Sequence, residues 1–178
     1  MTVSERYSTV AIVLHWTIAT LIVLVFALGL TVDVFPTDWE HAVVNTHVLL
    51  GLLILVLSLA RLAWRLAHRP PAPAEGAGRL AQRAAELVHY ALYALMILVP
   101  LIGIPTLLYR GVGLDLGVLE IASPFARDRA VAGPLTEVHE LAAYALIALA
   151  AGHALAALYH HFVRHDDVLR RMMPAHGG

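Results

Sequence analysis

The chain has 178 residues, of which 60% are hydrophobic and 14% are charged, and its mean hydropathy is +0.74. This composition excludes an ordinary soluble globular domain and indicates a protein that lies mostly within a lipid bilayer. The absence of cysteine excludes disulfides, iron–sulfur clusters and covalently attached c-type haem. The net charge of −1 says nothing useful about partners. Because the chain lies mostly within the bilayer, we expect membrane lipid and no nucleic acid as partners.

Four apolar stretches are each long enough to cross a hydrocarbon core of about 30 Å. We expect spans near residues 10–32, 41–64, 84–109 and 134–163, in a single transmembrane unit that covers residues 1–178. The first apolar run is too long for a cleaved signal peptide and lacks a small-residue cleavage site. Pro134 should lie in the first turn of the fourth helix, where proline is favoured. The sequence therefore predicts an all-α, integral-membrane four-helix bundle.

The distribution of arginine predicts the orientation of the bundle. The chain has twelve arginines and no lysine. Only Arg110, Arg127 and Arg129 lie in the connection before the fourth span. The others lie in the N-terminal segment, in or next to the connection between the second and third spans, and in the C-terminal segment. Arg-rich segments stay in the cytoplasm. We therefore expect both termini to be cytoplasmic.

Two histidines of the fourth span share one helix face. His139 and His153 are 14 residues apart. In an α-helix, their side chains therefore point within about 40° of the same direction and lie about 21 Å apart along the helix axis. A single histidine in a soluble apolar helix is usually a hydrogen-bonded core residue, but an ionisable side chain inside a membrane span indicates a function. Two imidazoles stacked in this way suit two haem irons, one near each side of the membrane. His160 continues the same stripe.

Alternating span directions sort the remaining histidines by depth. His47 and His139 both lie near the external side, which pairs them almost by elimination. His153 lies near the cytoplasmic side, where both His15 and His89 are candidate partners. We expect His15, because it lies two turns inside the first span, whereas His89 follows a polar segment and lies nearer the water interface.

Two imidazoles on one iron leave no open coordination position, which suits electron transfer rather than ligand binding. Without cysteine, any haem is b-type and is held by axial ligands and packing alone. We therefore expect two haem b groups, one between His15 and His153 and the other between His47 and His139. Candidate cationic partners of the haem propionates are Arg61 and Arg79 inside and Arg127 or Arg129 outside.

Four segments of the chain resemble the bacterial cytochrome b561 family: RYSTVAIVLHW, THVLLGLLILVLSLARLAWR, HYALYALMILVPLIG and VHELAAYALIALAAGHALAALYHHFVRHDDVLRRMMP. The resemblance covers nearly the whole chain. It implies a multi-pass protein of the bacterial inner membrane with two b haems and a quinone site at the cytoplasmic side. It also implies oxidation of superoxide at the periplasmic face, with ubiquinone as the electron acceptor. The positions that match the family's haem ligands are His15, His47, His139 and His153.

The implied activity predicts functional residues at both ends of the bundle. Superoxide is an anion, so Arg127 and Arg129 are the residues expected to steer it towards the outer haem, although acidic neighbours weaken their field. Reduction of quinone to quinol requires two protons, which histidines near the cytoplasmic side can deliver. The candidate quinone-site residues are Ser8, Arg79, His89 and His160.

Two other functions fit parts of the same pattern. A di-haem anchor subunit that relays electrons from a partner dehydrogenase or hydrogenase to quinone would use the same haems. A histidine-lined metal transporter would be expected to place acidic residues at the bundle centre, and the spans are nearly free of them. The leading hypothesis is a superoxide:ubiquinone oxidoreductase, and the relay subunit is the alternative.

Overall fold

A computed structural model describes residues 6–68, 71–72, 78–116 and 118–174. Short 3-10 helices cover Val32–Val34 and Arg170–Met172. An antiparallel hairpin of two short strands, β1 (Leu114–Asp115) and β2 (Glu120–Ile121), lies in the connection before the last helix. Four long helices make up most of the remainder and confirm the predicted all-α four-helix bundle: α1 (Thr9–Thr31), α2 (Thr37–Ala67), α3 (Arg79–Tyr109) and α4 (Arg129–Phe162).

Three of the helices begin outside the apolar stretches that the sequence marks. Helices α2, α3 and α4 start four or five residues before the predicted spans. Hydropathy detects only the part of a helix that lies in hydrocarbon, whereas the polar first turns extend beyond it. The prediction for Pro134 was wrong, because α4 begins at Arg129 and Pro134 lies inside the helix.

Side-chain caps fix where α1 and α4 begin. The Ser8 hydroxyl accepts a hydrogen bond from the Ala11 amide, and the Asp128 carboxylate accepts from the amides of Ala130 and Val131. These acceptors satisfy amides that have no partner within the first turn of a helix. Pro36 precedes α2 and provides no such side-chain bond.

Each helix packs against the next along the chain, and α4 also contacts α1. The core at the bundle centre consists of apolar side chains from all four helices: Ile18, Ile22, Ile54, Tyr93, Met96 and Leu146. Many large apolar side chains instead lie on the outside, such as Val23, Val56 and Leu155, which are 59%, 61% and 66% exposed. All four helices are long and apolar enough to cross a membrane, and this outer surface suits contact with lipid.

The two ends of the bundle differ in what covers them. We call the end where α1 begins and α4 ends the terminal end, and the opposite end the loop end. At the loop end, the Asn45 side chain donates to the Asp115 carbonyl and accepts from the Asp115 amide, which holds the hairpin against α2. At the terminal end, the Trp16 indole donates to the Met172 carbonyl and the Tyr7 amide to the Arg171 carbonyl.

Candidate functional site

A pair of histidines lies at the loop end of the bundle. The rings of His47 on α2 and His139 on α4 lie edge-on to each other, with their centres 6.1 Å apart and their planes at 73°. Both side chains are half-buried. The structure therefore brings together the two side chains that were expected to pair from their depth along the spans.

Backbone carbonyls fix the orientation of both rings at the loop end. Nδ1 of His47 lies 3.0 Å from the Val25 carbonyl oxygen, and Nδ1 of His139 lies 3.0 Å from the Val99 carbonyl oxygen. A carbonyl can only accept a hydrogen bond, so each Nδ1 carries the proton and donates it. Nε2 of each ring is then the unprotonated nitrogen, with a lone pair free for a metal.

Three histidines lie together at the terminal end. The ring centre of His153 on α4 is 6.2 Å from that of His15 on α1 and 5.2 Å from that of His89 on α3. The Arg61 guanidinium donates to the Ala11 carbonyl at 2.7 Å, and its charge acts on all three rings. The structure thus brings both candidate partners of His153 beside it.

Ring separation tests which pairs fit a bis-histidyl haem. With metal–imidazole bonds of about 2.0 Å, two ring centres on opposite sides of one metal ion lie about 6.3 Å apart. The His47–His139 and His15–His153 separations of 6.1 and 6.2 Å agree with this value. The His89–His153 separation of 5.2 Å is too short. In the described part of the chain, no three His, Asp or Glu side chains form a protein-only metal site.

A cavity of about 620 Å³ opens at the terminal end between the start of α1 and the end of α2. Ser8 lies in its wall and accepts a hydrogen bond from the Trp64 indole at 3.0 Å. No described group accepts the hydrogen of the Ser8 hydroxyl. The other polar or charged side chains in the described wall are Arg6, Tyr7, Arg61, Trp64, Arg65, His68 and Tyr93.

The other candidate quinone-site residues lie outside this wall. Arg79 is the exposed first residue of α3, and His89 belongs to the terminal-end histidine cluster. His160, in the last turn of α4, bonds through Nδ1 to the Asp166 carboxylate at 2.5 Å. The structure therefore separates the four candidates into different places at the same end of the bundle.

The two arginines expected to steer superoxide are exposed at the loop end. Arg127 lies in the connection next to Gly111, and Arg129 is the first residue of α4. Asp128 stands between them, but its carboxylate is engaged as the cap of α4. In the described ranges neither arginine forms an ion pair.

Three features of these sites were not expected from the sequence. They are the carbonyl partners of the loop-end rings, the tie between Asn45 and the hairpin, and the arginine-lined cavity. Which carbonyl meets a ring depends on helix rotation, which the sequence does not reveal. The signal available in the sequence was the glycine one turn beyond each accepting carbonyl: Gly29 and Gly103.

Comparison with known sequences decides the family. The model of the prokaryotic cytochrome b561 family matches residues 6–175. The chain belongs to this family. Cytochrome b561 homolog 2 of Escherichia coli K12 is 28% identical over 172 residues, 95% of this chain and 92% of that protein. A probable superoxide oxidase, CybB, of Yersinia pestis is 30% identical over 177 residues, 98% of this chain and 99% of that protein.

Cytochrome b562 of Cereibacter sphaeroides is 33% identical over 180 residues, 97% of this chain and 98% of that protein. This cytochrome b561 family member is therefore an electron-transfer protein of the oxidoreductase type. Its four apolar helices and its family make it a multi-pass protein of the bacterial inner membrane. Family membership implies haem b as the prosthetic group.

Proposed function

We propose that this protein is a superoxide:ubiquinone oxidoreductase with two haem b groups. The observation that carries the proposal is a pair of neighbouring imidazoles at each end of the bundle, with ring centres 6.1 and 6.2 Å apart. In the proposed reaction two superoxide anions each lose one electron, and one quinone takes up both electrons and two protons. The products are two O₂ and one quinol.

His47 and His139 are the residues that would hold a haem at the loop end, and His15 and His153 those that would hold one at the terminal end. Haem b, when bound, supplies one-electron redox chemistry. The carbonyl bonds at Nδ1 keep Nε2 of His47 and His139 as the coordinating nitrogen. Arg61, beside the terminal-end cluster, is the proposed partner of a propionate there.

Arg127 and Arg129 are the proposed attractors of superoxide, with the loop end facing the periplasm. Both guanidiniums are exposed, so they raise the local concentration of an anion through their field and do not bind it in a buried site. Such steering is screened by salt. The relative that carries the name of probable superoxide oxidase supports this choice of donor.

The proposed quinone site lies at the terminal end, with its head group in the cavity beside Ser8. The Ser8 hydroxyl hydrogen is available to a quinone carbonyl, since the hydroxyl oxygen already accepts two hydrogen bonds. Guanidiniums in the cavity wall favour the negative charge that a reduced oxygen acquires before it is protonated. His160, in the last turn of α4, belongs to the rival placement of the head group, and Arg79, at the start of α3, lies outside the cavity wall.

Two variants distinguish the placements of the quinone. Ser8→Ala should raise the KM for ubiquinone several-fold, because it removes the donor to the carbonyl, while His160→Ala leaves the KM close to that of the parent. The measurement is steady-state quinol formation with chemically generated superoxide. A raised KM only in His160→Ala would place the head group near the end of α4 instead. Haem content should be equal in both variants.

The function itself is tested with the purified protein alone. We expect about two haems per chain and quinol formation from superoxide without any partner protein. His47→Ala should lose one haem, whereas His41→Ala, an exposed histidine of α2, should retain both. Replacing Arg127 and Arg129 together by Ala should slow the reaction with superoxide about tenfold at low ionic strength. Quinol formation that requires a co-purified dehydrogenase would instead establish the relay function.

A further inference from the structure

Each loop-end imidazole fits into a space where a neighbouring helix has no side chain. A Cβ atom at Gly29 of α1 would lie 3.1 Å from Cε1 and 3.5 Å from Nδ1 of His47. A Cβ atom at Gly103 of α3 would lie 3.1 Å from Cε1 and 3.4 Å from Nδ1 of His139. Carbon atoms at optimal contact are about 3.5–4.0 Å apart, so a methyl group at either position would push the ring away.

The same glycine lies one turn beyond the carbonyl that its histidine uses. Gly29 follows Val25 by four residues, and Gly103 follows Val99 by four residues. The missing side chain lets the imidazole approach the helix closely enough for Nδ1 to reach the carbonyl at 3.0 Å. The arrangement occurs twice, on α1 for the ligand from α2 and on α3 for the ligand from α4.

The terminal-end pair has no equivalent arrangement. Among the described residues, no carbonyl accepts a hydrogen bond from the ring of His15 or His153. Glycines elsewhere in the helices do not contact a histidine either: a Cβ at Gly133 or Gly152 would meet nothing within 4 Å. Among the described residues, a glycine that makes room for a histidine ring and a carbonyl that accepts from the same ring therefore occur together only at the loop-end pair.

We propose that Gly29 and Gly103 are positioning residues that fix the orientation of the loop-end haem ligands and lower the reduction potential of that haem relative to the other. A hydrogen bond from Nδ1 to a carbonyl makes the imidazole more basic, and a more basic ligand favours ferric iron. A haem held by His47 and His139 would then be the stronger reductant of the two, which would favour electron transfer from the loop end towards the terminal end. This inference rests on the proposed ligands.

The test compares three glycine variants in the purified, haem-loaded protein. Gly29→Ala and Gly103→Ala should each raise the midpoint potential of the lower-potential haem and leave the other haem unchanged. They should also alter one of the two low-spin ferric EPR signals, which report the relative orientation of the ligand planes. Gly133→Ala, a helical glycine with open space at Cβ, is the matched control and should change neither.

A second measurement does not depend on the variants folding. In the reduced, diamagnetic parent protein, ¹⁵N-histidine NMR should show Nδ1–H protons of His47 and His139 that exchange slowly with solvent. Unchanged potentials and EPR signals in both glycine variants, or an unprotonated Nδ1 in these two rings, would overturn the inference. A parent protein that holds no haem at His47 would instead refute the proposed function, so the two failures are distinguishable.

Discussion

At the residue scale, the two histidine sites differ in how firmly their rings are held. His47 and His139 are oriented by backbone carbonyls, which cannot change rotamer or protonation state. His15 lies edge-on to Trp16, with ring centres 5.3 Å apart, and shares His153 with His89. The loop-end pair therefore has one defined geometry, whereas two residues compete for His153 at the other end.

The competition between His15 and His89 is resolved by replacing each in turn. His15→Ala should reduce the haem content from about two to about one per chain, because the ring separation of 6.2 Å suits an iron between His15 and His153. His89→Ala should retain both haems, since 5.2 Å is too short. Pyridine haemochrome absorbance measures the content. Loss of a haem in His89→Ala alone would exchange the roles of the two residues.

At the element scale, each helix contributes one residue to the loop-end site and another, 14 residues away in the sequence, to the terminal-end site. This spacing brings the same helix face back about 21 Å further along the axis. The sequence allowed the histidine depths and pairs to be predicted, but not the helix rotations that bring Val25 and Val99 to the rings. The four pairs, in chain order, are His15 and Gly29, His47 and Arg61, His89 and Gly103, and His139 and His153.

The segment after α4 is held to that helix by a hydrogen bond between the side chains of His160 and Asp166. The Asp166 carboxylate bonds to Nδ1 of His160 and accepts from the Val168 amide. Partial burial raises the pKa of Asp166, but the hydrogen bonds from His160 and Val168 lower it by a larger amount. The pKa of Asp166 therefore lies below its usual value. A lowered pKa means that the contribution to stability is complete above the unfolded pKa of about 3.9 and is lost as the pH falls through the folded pKa.

Asp166→Ala should therefore loosen this segment at pH 7, while the parent keeps it docked until the pH falls below about 4. Hydrogen–deuterium exchange of residues 164–172 is the measurement, and the variant should exchange several-fold faster. Asp167→Ala is the matched control, because the Asp167–Arg170 pair is exposed and 3.6 Å apart. Equal exchange in both variants would show that the Asp166–His160 contact does not hold the segment.

At the scale of the whole molecule, the bundle was predictable and its orientation stays a prediction. Apolar stretches of sufficient length predicted the number and order of the helices, since a backbone in hydrocarbon must satisfy its own hydrogen bonds. The cavity at the terminal end was not predictable, because its wall combines the start of α1, the end of α2 and Tyr93 of α3. Such a wall depends on how distant segments meet.

Single cysteines test the orientation without interference, because the chain has none of its own. Val118→Cys lies at the loop end, where Val118 is 98% exposed, and a membrane-impermeant maleimide should label it in intact spheroplasts. Arg164→Cys, at the terminal end, should react only after the membrane is permeabilised. The reverse pattern would place the termini in the periplasm and would put the proposed superoxide side in the cytoplasm.

The bond from the Trp16 indole to the Met172 carbonyl bears on the order in which the terminal end is assembled. Residues 170–172 are synthesised after all four helices, so the hydrogen bond that joins Met172 to α1 cannot form before them. Trp16 is next to His15, the proposed ligand on α1. This bond therefore ties the start of α1, and with it the proposed ligand His15, to residues that are synthesised after all four helices.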